Sequence, residues 1–462
     1  MKVTVAIKEA EYGKFSDLYL NYNDRGIDRN VLLSFNMGSK YPFEKVSDFL
    51  IDFSSVKFDF FLITAIVYGV DNLLSRAIYS NDGWSRDIEV VFPVNNIGIW
   101  IGKEDKLKLI LDFLTGDNWL VSFIQNTQDS LFYPRPLSRR REIPPTYKID
   151  SIKSTSLFSG GLDSLIGVID ELEKLSSDER ILLISHFDSK SPGPNDDQNK
   201  LFGHLEAEYQ NKIYWIQSKL ALSRKDTDGN RVTVENNYRS RSLFFIGLGC
   251  YLSPIDELII PENGTISINY PLTPSRVSSL STRTTHPYVI KNTQELLIEV
   301  GITTLLDNPY TFKTKGEMFI DCATRSPFIK SIFQDSVSCG KRGRRHQHKD
   351  NSNEKHHCGR CMPCVYRRAA LHKAGLDRNE QYGNFITNAK NREASKDLPA
   401  LISYLRKDIS LEKMKRDLLV NGNIEIDKLE DYAKMVLRSK QEVLQLFIDK
   451  GNTFIKTELG IK

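Results

Sequence analysis

No stretch of this 462-residue chain is long and apolar enough to span a bilayer. The most apolar run, Phe58 to Val70, covers about 13 residues and contains Asp59, whereas a span takes ~20; it reads as a buried helix. Cysteine is scarce, six in all, which excludes a disulfide-stapled secreted scaffold, and a chain of this length buries a core without such staples. Neither sign of charge dominates. With 63 basic and 59 acidic residues the net charge is +4, a balance that disfavours a nucleic-acid coat protein and leaves only local basic patches for such contacts. The first residues, Met1 to Lys8, alternate like a strand and lack the apolar core and cleavage site of a signal peptide. A cytoplasmic protein with no membrane partner is expected. No internal repeat is visible.

What is present falls into four parts. Residues 1–150 mix strand-like runs (Val3–Ile7, Asp17–Tyr22, Val31–Asn36, Ile88–Pro93) with longer apolar segments near Val46–Leu74 and Leu107–Ile124, and read as an α+β domain that could bind a partner or an acceptor. The proline- and arginine-rich stretch Tyr133 to Pro145 reads as a linker. In residues 151–335 short apolar runs (Thr155–Phe158, Ile181–His186, Lys212–Gln217, Glu257–Pro261) alternate with helical segments (Ser164–Leu175, Asp197–Tyr209, Tyr238–Leu252). That alternation predicts a doubly wound parallel α/β sheet. Residues 336–375 read as a zinc-binding segment and 376–462 as a helical tail without evident chemistry.

The strongest chemical signal lies at the first strand-to-helix turn of the second part. In Ser156-Leu-Phe-Ser-Gly-Gly-Leu-Asp-Ser-Leu-Ile an apolar strand runs into two glycines and a helix start, which aims backbone N–H groups and the positive helix end at an anion. Gly160 and Gly161 let the backbone approach a phosphate, Leu162 opens the helix, the hydroxyls of Ser159 and Ser164 are donors, and Asp163 suits a magnesium ion. A capped turn would also explain two glycines and a nearby Asp. Neither the Walker loop nor the dinucleotide fingerprint is present, because Gly-Lys-Ser/Thr and the required glycine spacing are missing.

Four of the six cysteines crowd between residues 339 and 364. Cys358, Cys361 and Cys364 are separated by two-residue gaps as in a metal knuckle, with Cys339 upstream as the fourth ligand, and zinc fits such a set best. His346, His348, His356 and His357 compete for the fourth place, and a [4Fe–4S] cluster is the alternative metal, although the radical-type spacing is absent. Four thiolates leave no open position for an activated water, so the zinc is expected to be structural. Cys250 and Cys322 read as ordinary buried residues. The basic run between Cys339 and His356 reads as a solvated loop or as a contact for RNA, phosphate or an acidic partner.

The six residues Ser159 to Ser164 resemble the PP-loop of ATP pyrophosphatases. Followed roughly 175 residues later by Cys…Cys-Gly-x-Cys-x-x-Cys-x-x-Arg, they resemble the QueC family of 7-cyano-7-deazaguanine synthases over about half the chain, Ser154 to Leu376, including Arg367 and Arg368. The resemblance implies an adenine nucleotide alpha hydrolase-like core, cleavage of ATP to AMP and pyrophosphate, and activation of a 7-deazaguanine-type carboxylate for attack by an amine. Departures are the N-terminal 150 residues, the helical tail, the longer gap between Cys339 and Cys358, and the stretch His186-Phe-Asp-Ser-Lys-Ser-Pro-Gly-Pro-Asn-Asp-Asp, where QueC carries Gly-Gln-Arg-His. This elongated layout resembles the QatC family, the QueC-like component of the Qat anti-phage system, which implies protein partners from the same defence operon.

Further candidates follow from position. Arg239 and Arg241, at a helix start, could set guanidiniums on pyrophosphate or on a substrate carboxylate, acting with Asp163 and Ser164 as the catalytic set. Glu262 and Asn263 follow an apolar strand, where open parallel sheets place ligands, and could read a guanine-like edge. Arg276, Arg283 and His286 are candidates for the adenylate or for a proton transfer; Asp188 and Ser189 follow the second strand, where the superfamily contacts adenosine. Each has a bland counterpart as a cap, a turn or a solvated charge. The expected activity is a ligase or synthase that uses ATP, Mg2+ and Zn2+ and joins the activated carboxylate to ammonia or to an amino group of a partner protein. The alternatives are a tRNA-modifying PP-loop enzyme using Arg139–Arg141 and the basic loop, and a non-catalytic subunit that binds ATP or a purine.

Overall fold

Alternating apolar and polar residues build a set of strands that all enter one sheet. They are β1 (Lys2–Lys8), β2 (Asp17–Asp24), β3 (Ile27–Tyr41), β4 (Asp87–Val94), β5 (Asn118–Gln125), β6 (Ile152–Leu157), β7 (Arg180–Phe187), β8 (Ile213–Asp226), β9 (Glu257–Ile259) and β10 (Leu305–Asp307). The computed structural model describes residues 1–8, 16–41, 54–128, 151–187, 194–235, 239–272, 283–340, 357–378, 382–384, 386–395 and 397–461. The linker at 133–145, Arg139–Arg141, Asp188, Ser189, Tyr238, Arg276, His346, His348, His356 and the basic run at 341–350 lie outside the described residues.

The strand order is β10-β9-β6-β7-β8-β3-β2-β1-β4-β5. From β10 to β8, and again from β1 through β4 to β5, neighbours are parallel, while β8, β3, β2 and β1 pair antiparallel in sequence. The expected alternation in the middle of the chain is present: β6 leads through helix Leu162–Leu172 to β7, β7 through helix Pro194–Glu208 to β8, and β8 through helix Arg241–Leu252 to β9. Strands β6 to β8 are buried along most of their length because helices cover both faces.

The division at residue 150 does not separate two cores. β3 pairs with β8 from Val31 opposite Asp226 to Tyr41 opposite Trp215, so the N-terminal strands extend the parallel sheet. Helix Val56–Leu73, buried along almost its whole length as the apolar run predicts, lies against helix Arg241–Leu252. Phe61 stacks on Tyr251 at 5.4 Å and Tyr68 on Phe244 at 5.7 Å. One apolar cluster contains Val3, Leu20, Phe60, Leu220, Phe244 and Leu258. The segment Leu107–Ile124 divides into helix Glu104–Thr115 and strand β5.

After residue 376 the chain is helical, as its periodicity predicts, with helices Leu398–Arg406, Leu411–Asn421, Leu429–Lys450 and Thr453–Leu459. They bury a second apolar cluster that also takes in Ile268 and Val365. Among the described residues no helix is long and apolar enough to cross a membrane.

Candidate functional site

β6 is the strand at which the sheet changes direction: β7 and β8 are added on one side of it, β9 and β10 on the other. In open α/β sheets ligands bind in the crevice beyond the carboxyl ends of the strands at such a point. The loop Ser159–Gly161 leaves β6 there, and Pro261–Asn263 follows β9 there.

The loop is closed by its own hydroxyls. Ser164 Oγ accepts from Ser159 N at 3.2 Å, donates to Gly161 O at 3.0 Å and lies 3.1 Å from Ser159 Oγ. Ser159 Oγ accepts from Gly161 N at 3.3 Å. Gly160 has φ +82°, a left-handed conformation that suits glycine, and a Cβ there would lie 3.1 Å from Gln198 Cγ. Gln198 in turn donates to Ser159 O at 3.3 Å and to His186 O at 3.1 Å. Ser159 is exposed, so the turn faces solvent at the start of helix Leu162–Leu172.

Behind the loop Asp163 is the hub of a buried polar group. Lys315 Nζ lies 2.5 Å from Asp163 Oδ1, and Asn263 Nδ2 donates to Asp163 Oδ2 at 2.7 Å. Glu262 shares a further side-chain hydrogen bond with Asp163. Burial opposes the Asp163 charge, but Lys315 and these hydrogen bonds outweigh it and hold the carboxyl below the usual range. Burial, then the neighbouring Asp163 charge, pushes Glu262 well above the usual range. Gly167, one helical turn beyond Asp163, makes the arrangement possible: a Cβ there would come within 2.4 Å of Pro261 Cβ.

Lys315 escaped the sequence reading. It opens helix Lys315–Arg325, whose capping box pairs Thr314 with Glu317. Thr314 Oγ1 also donates to Glu442 Oε1 at 2.5 Å, so the C-terminal helix Leu429–Lys450, where no chemistry was expected, holds the element that carries Lys315. The one available signal was the Thr-x-x-Glu capping pattern from Thr314 to Glu317.

Several expected residues have other occupations. Glu262 and Asn263 follow β9, but their side chains bond to Asp163, and Asn263 also caps helix Gly264–Ile268. Arg239 is buried away from the loop: Nη1 donates to Thr115 O at 2.7 Å and the guanidinium sits 4.5 Å from the Trp84 ring centre, beside the ion network of Arg76, Arg86, Asp71 and Asp117. Arg283 donates to Phe113 O at 3.1 Å and lies over the Phe113 ring. His286 caps helix Pro287–Glu299, accepting from Tyr288 N at 3.2 Å, and burial lowers its pKa to about 3. These three side chains meet the N-terminal segment at Phe113 and Thr115. Arg241 stays at the crevice edge, with Nη2 3.4 Å from His186 O.

The four cysteines converge. Their sulfurs lie within 4.8 Å of one another, with Cys361 to Cys364 at 3.4 Å and Cys358 to Cys364 at 3.9 Å. Four thiolates about 2.3 Å from a tetrahedral zinc would stand about 3.8 Å apart, so the donor set fits one ion and is too tight for a four-iron cube. Backbone N–H groups of Arg360 and Cys361 donate to Cys358 Sγ, and that of Cys358 to Cys339 Sγ, each at 3.4 Å. His357 is not a ligand: its Nε2 accepts from Ser338 N at 3.4 Å and its ring packs on Tyr382. Cys250 and Cys322 are buried, and burial raises both thiols, Cys250 to about 12.

Compared with protein-family models, with curated proteins and with solved structures, the chain matches none.

Proposed function

We propose that this chain is an ATP-dependent ligase or synthase of the PP-loop type, QueC-like and nearest in layout to the QatC family of anti-phage defence. It adenylates a 7-deazaguanine-type carboxylate and passes the acyl group to an amine, either ammonia or an amino group of a partner protein. The observation that carries this reading is the Ser159–Ser164 loop at the direction change of a parallel sheet, with Asp163 backed by Lys315, Glu262 and Asn263.

In the first step a substrate carboxylate oxygen attacks the α-phosphorus of ATP, the bond to the bridging oxygen breaks, and pyrophosphate leaves. In the second the amine nitrogen attacks the acyl carbon, AMP leaves with the bonding pair, and the amine proton passes to solvent. The backbone N–H of Gly160 and the hydroxyl of Ser159 bind and orient the phosphates, while Ser164 and the Gly161 and Leu162 amides hold the loop in shape. Lys315, paired with Asp163 behind the loop, fixes the helix start there, and Arg241 would meet charge developing on pyrophosphate or on the substrate. Asp163, whose two oxygens accept from Lys315 and Asn263, would hold magnesium only on giving up one of these bonds; magnesium neutralises phosphate charge when bound. Cys339, Cys358, Cys361 and Cys364 would hold zinc with no open position, bracing the fold beside the loop.

A tRNA thiolase is the weaker reading, because both cysteines outside the cluster are buried with raised thiol pKa values. The deciding experiment incubates the protein with Mg2+, ATP and 7-carboxy-7-deazaguanine, with ammonia or candidate partner proteins, and follows AMP, pyrophosphate and product mass. Substrate-dependent AMP release that disappears in Asp163→Ala is expected. No AMP under any of these conditions would point to an RNA substrate or to a non-catalytic nucleotide-binding subunit.

A further inference from the structure

The glycine loop is tied to the cysteine cluster by a short strap. Val337 N donates to Gly160 O at 3.0 Å, and Leu162 N donates to Ser338 Oγ at 3.4 Å. The Val337 carbonyl oxygen lies 3.7 Å from the place a Cβ on Gly161 would take. Gly160 and Leu162, on either side of Gly161, therefore both meet residues immediately before Cys339.

Both ends of the strap are anchored in the cysteine knuckle. At its start Ser336 Oγ accepts from Arg367 Nη1 at 2.8 Å, and Arg367 Nη2 donates to Phe333 O at 2.8 Å. Arg367 is fully buried on helix Met362–Lys373, which begins after Cys361 and carries Cys364. At its end Cys339 belongs to the four-sulfur cluster, and Ser338 N is held by His357, the neighbour of Cys358. A metal bound by all four sulfurs fixes the distance between Cys339 and helix Met362–Lys373, and so fixes the strap on which the loop leans.

We propose that Ser338 is a positioning residue for the phosphate loop and that zinc occupancy sets the loop's geometry through residues 336–339. This deepens the reading of the loop as a nucleotide site and rests on it. The Ser338 hydroxyl accepts from the first amide of the helix and so tethers the loop to the strap; without it residues 159–162 lose the order that pre-arranges them for a phosphate.

The test uses the full-length, zinc-loaded protein. Hydrogen exchange of peptides spanning residues 159–165 is compared before and after zinc removal, with metal content measured in parallel, and binding of a non-hydrolysable ATP analogue with Mg2+ is measured by calorimetry. Zinc removal should speed exchange in that segment. Ser338→Ala, with zinc content and melting temperature unchanged, should do the same and weaken analogue binding about fivefold, the value of one ordinary hydrogen bond, and Ser338→Thr should restore it. Unchanged exchange at 159–165 in both the zinc-free protein and Ser338→Ala overturns the proposal. Exchange that follows zinc in a protein that binds no analogue keeps the strap and removes the nucleotide reading instead. Should zinc removal unfold the chain, the Ser338→Ala exchange decides alone.

Discussion

Lys315 Nζ stands 2.5 Å from Asp163 Oδ1 across a sequence separation of 152 residues, and both side chains are almost completely buried. Two helix starts are thereby locked face to face at the mouth of the crevice, one carrying the glycine loop and the other held by the C-terminal helix through Glu442.

Removing one partner of such a pair leaves the other charge buried and unmatched. Lys315→Met is expected to lower unfolding stability by about 3–5 kcal/mol and AMP formation by roughly 100-fold or more. Urea titrations and AMP release read the two effects. A loss of stability under ~1 kcal/mol would mean that Asp163 is not charged in the fold.

Glu262 gives a pH signature of the opposite sign to an ordinary salt-bridged carboxylate. Its folded pKa is raised above 4.5 by burial and by Asp163, so the native state holds a proton that the unfolded chain releases as pH rises past 4.5. Stability from this group is complete below that value and declines as pH climbs toward the raised pKa. Glu262→Gln mimics the protonated form. The variant should gain on the wild type steadily from pH ~4.5 toward neutrality in denaturant titrations, and a difference that stays flat with pH would show that Glu262 is ionised. Asp163, with its pKa depressed, contributes stability that is lost as pH falls.

What could be read from sequence was local. The glycine loop, the helix behind it and the two-residue cysteine gaps are contiguous patterns whose chemistry follows from spacing alone, and the structure forms the loop and gathers the sulfurs. Lys315 was illegible because nothing near it in the chain marks a partner; only the fold brings Asp163 to it. The surroundings of Arg239 were illegible for the same reason, since Thr115, Trp84 and the buried aspartates beside it come from residues 71–117. The boundary at 150 looked natural because antiparallel pairing of β3 with β8 leaves no trace in either strand's own pattern.

His286 makes the fold acid-sensitive. Its pKa falls from 6.5 to about 3 through burial, with a smaller contribution from Arg283, so the native ring stays neutral while the unfolded one takes up a proton. Its stability contribution is present above pH 6.5 and is lost as pH falls from there, by about 1.4 kcal/mol per pH unit. His286→Asn retains a helix cap and has no titration, so its stability should decline less steeply than that of the wild type between pH 6.5 and pH 4.5. Equal slopes in the two proteins would place a proton on His286 in the fold.

The shared sheet makes a firm prediction about dividing the chain. Deleting residues 1–150 would strip β8 of its antiparallel neighbour β3 and uncover the faces of Leu220, Phe244 and Tyr251 that helix Val56–Leu73 and the N-terminal strands now bury. An uncovered strand edge beside a large apolar face recruits other chains. The 151–462 fragment is therefore expected to aggregate or to expose dye-binding apolar surface, even with zinc bound, and loss of activity in it would say nothing about acceptor binding. Sedimentation and dye fluorescence decide the matter. A monomeric fragment that unfolds cooperatively would show that β6 to β10 and their helices carry a sufficient core, and would make the N-terminal strands a separable addition that could be tested directly for binding a partner.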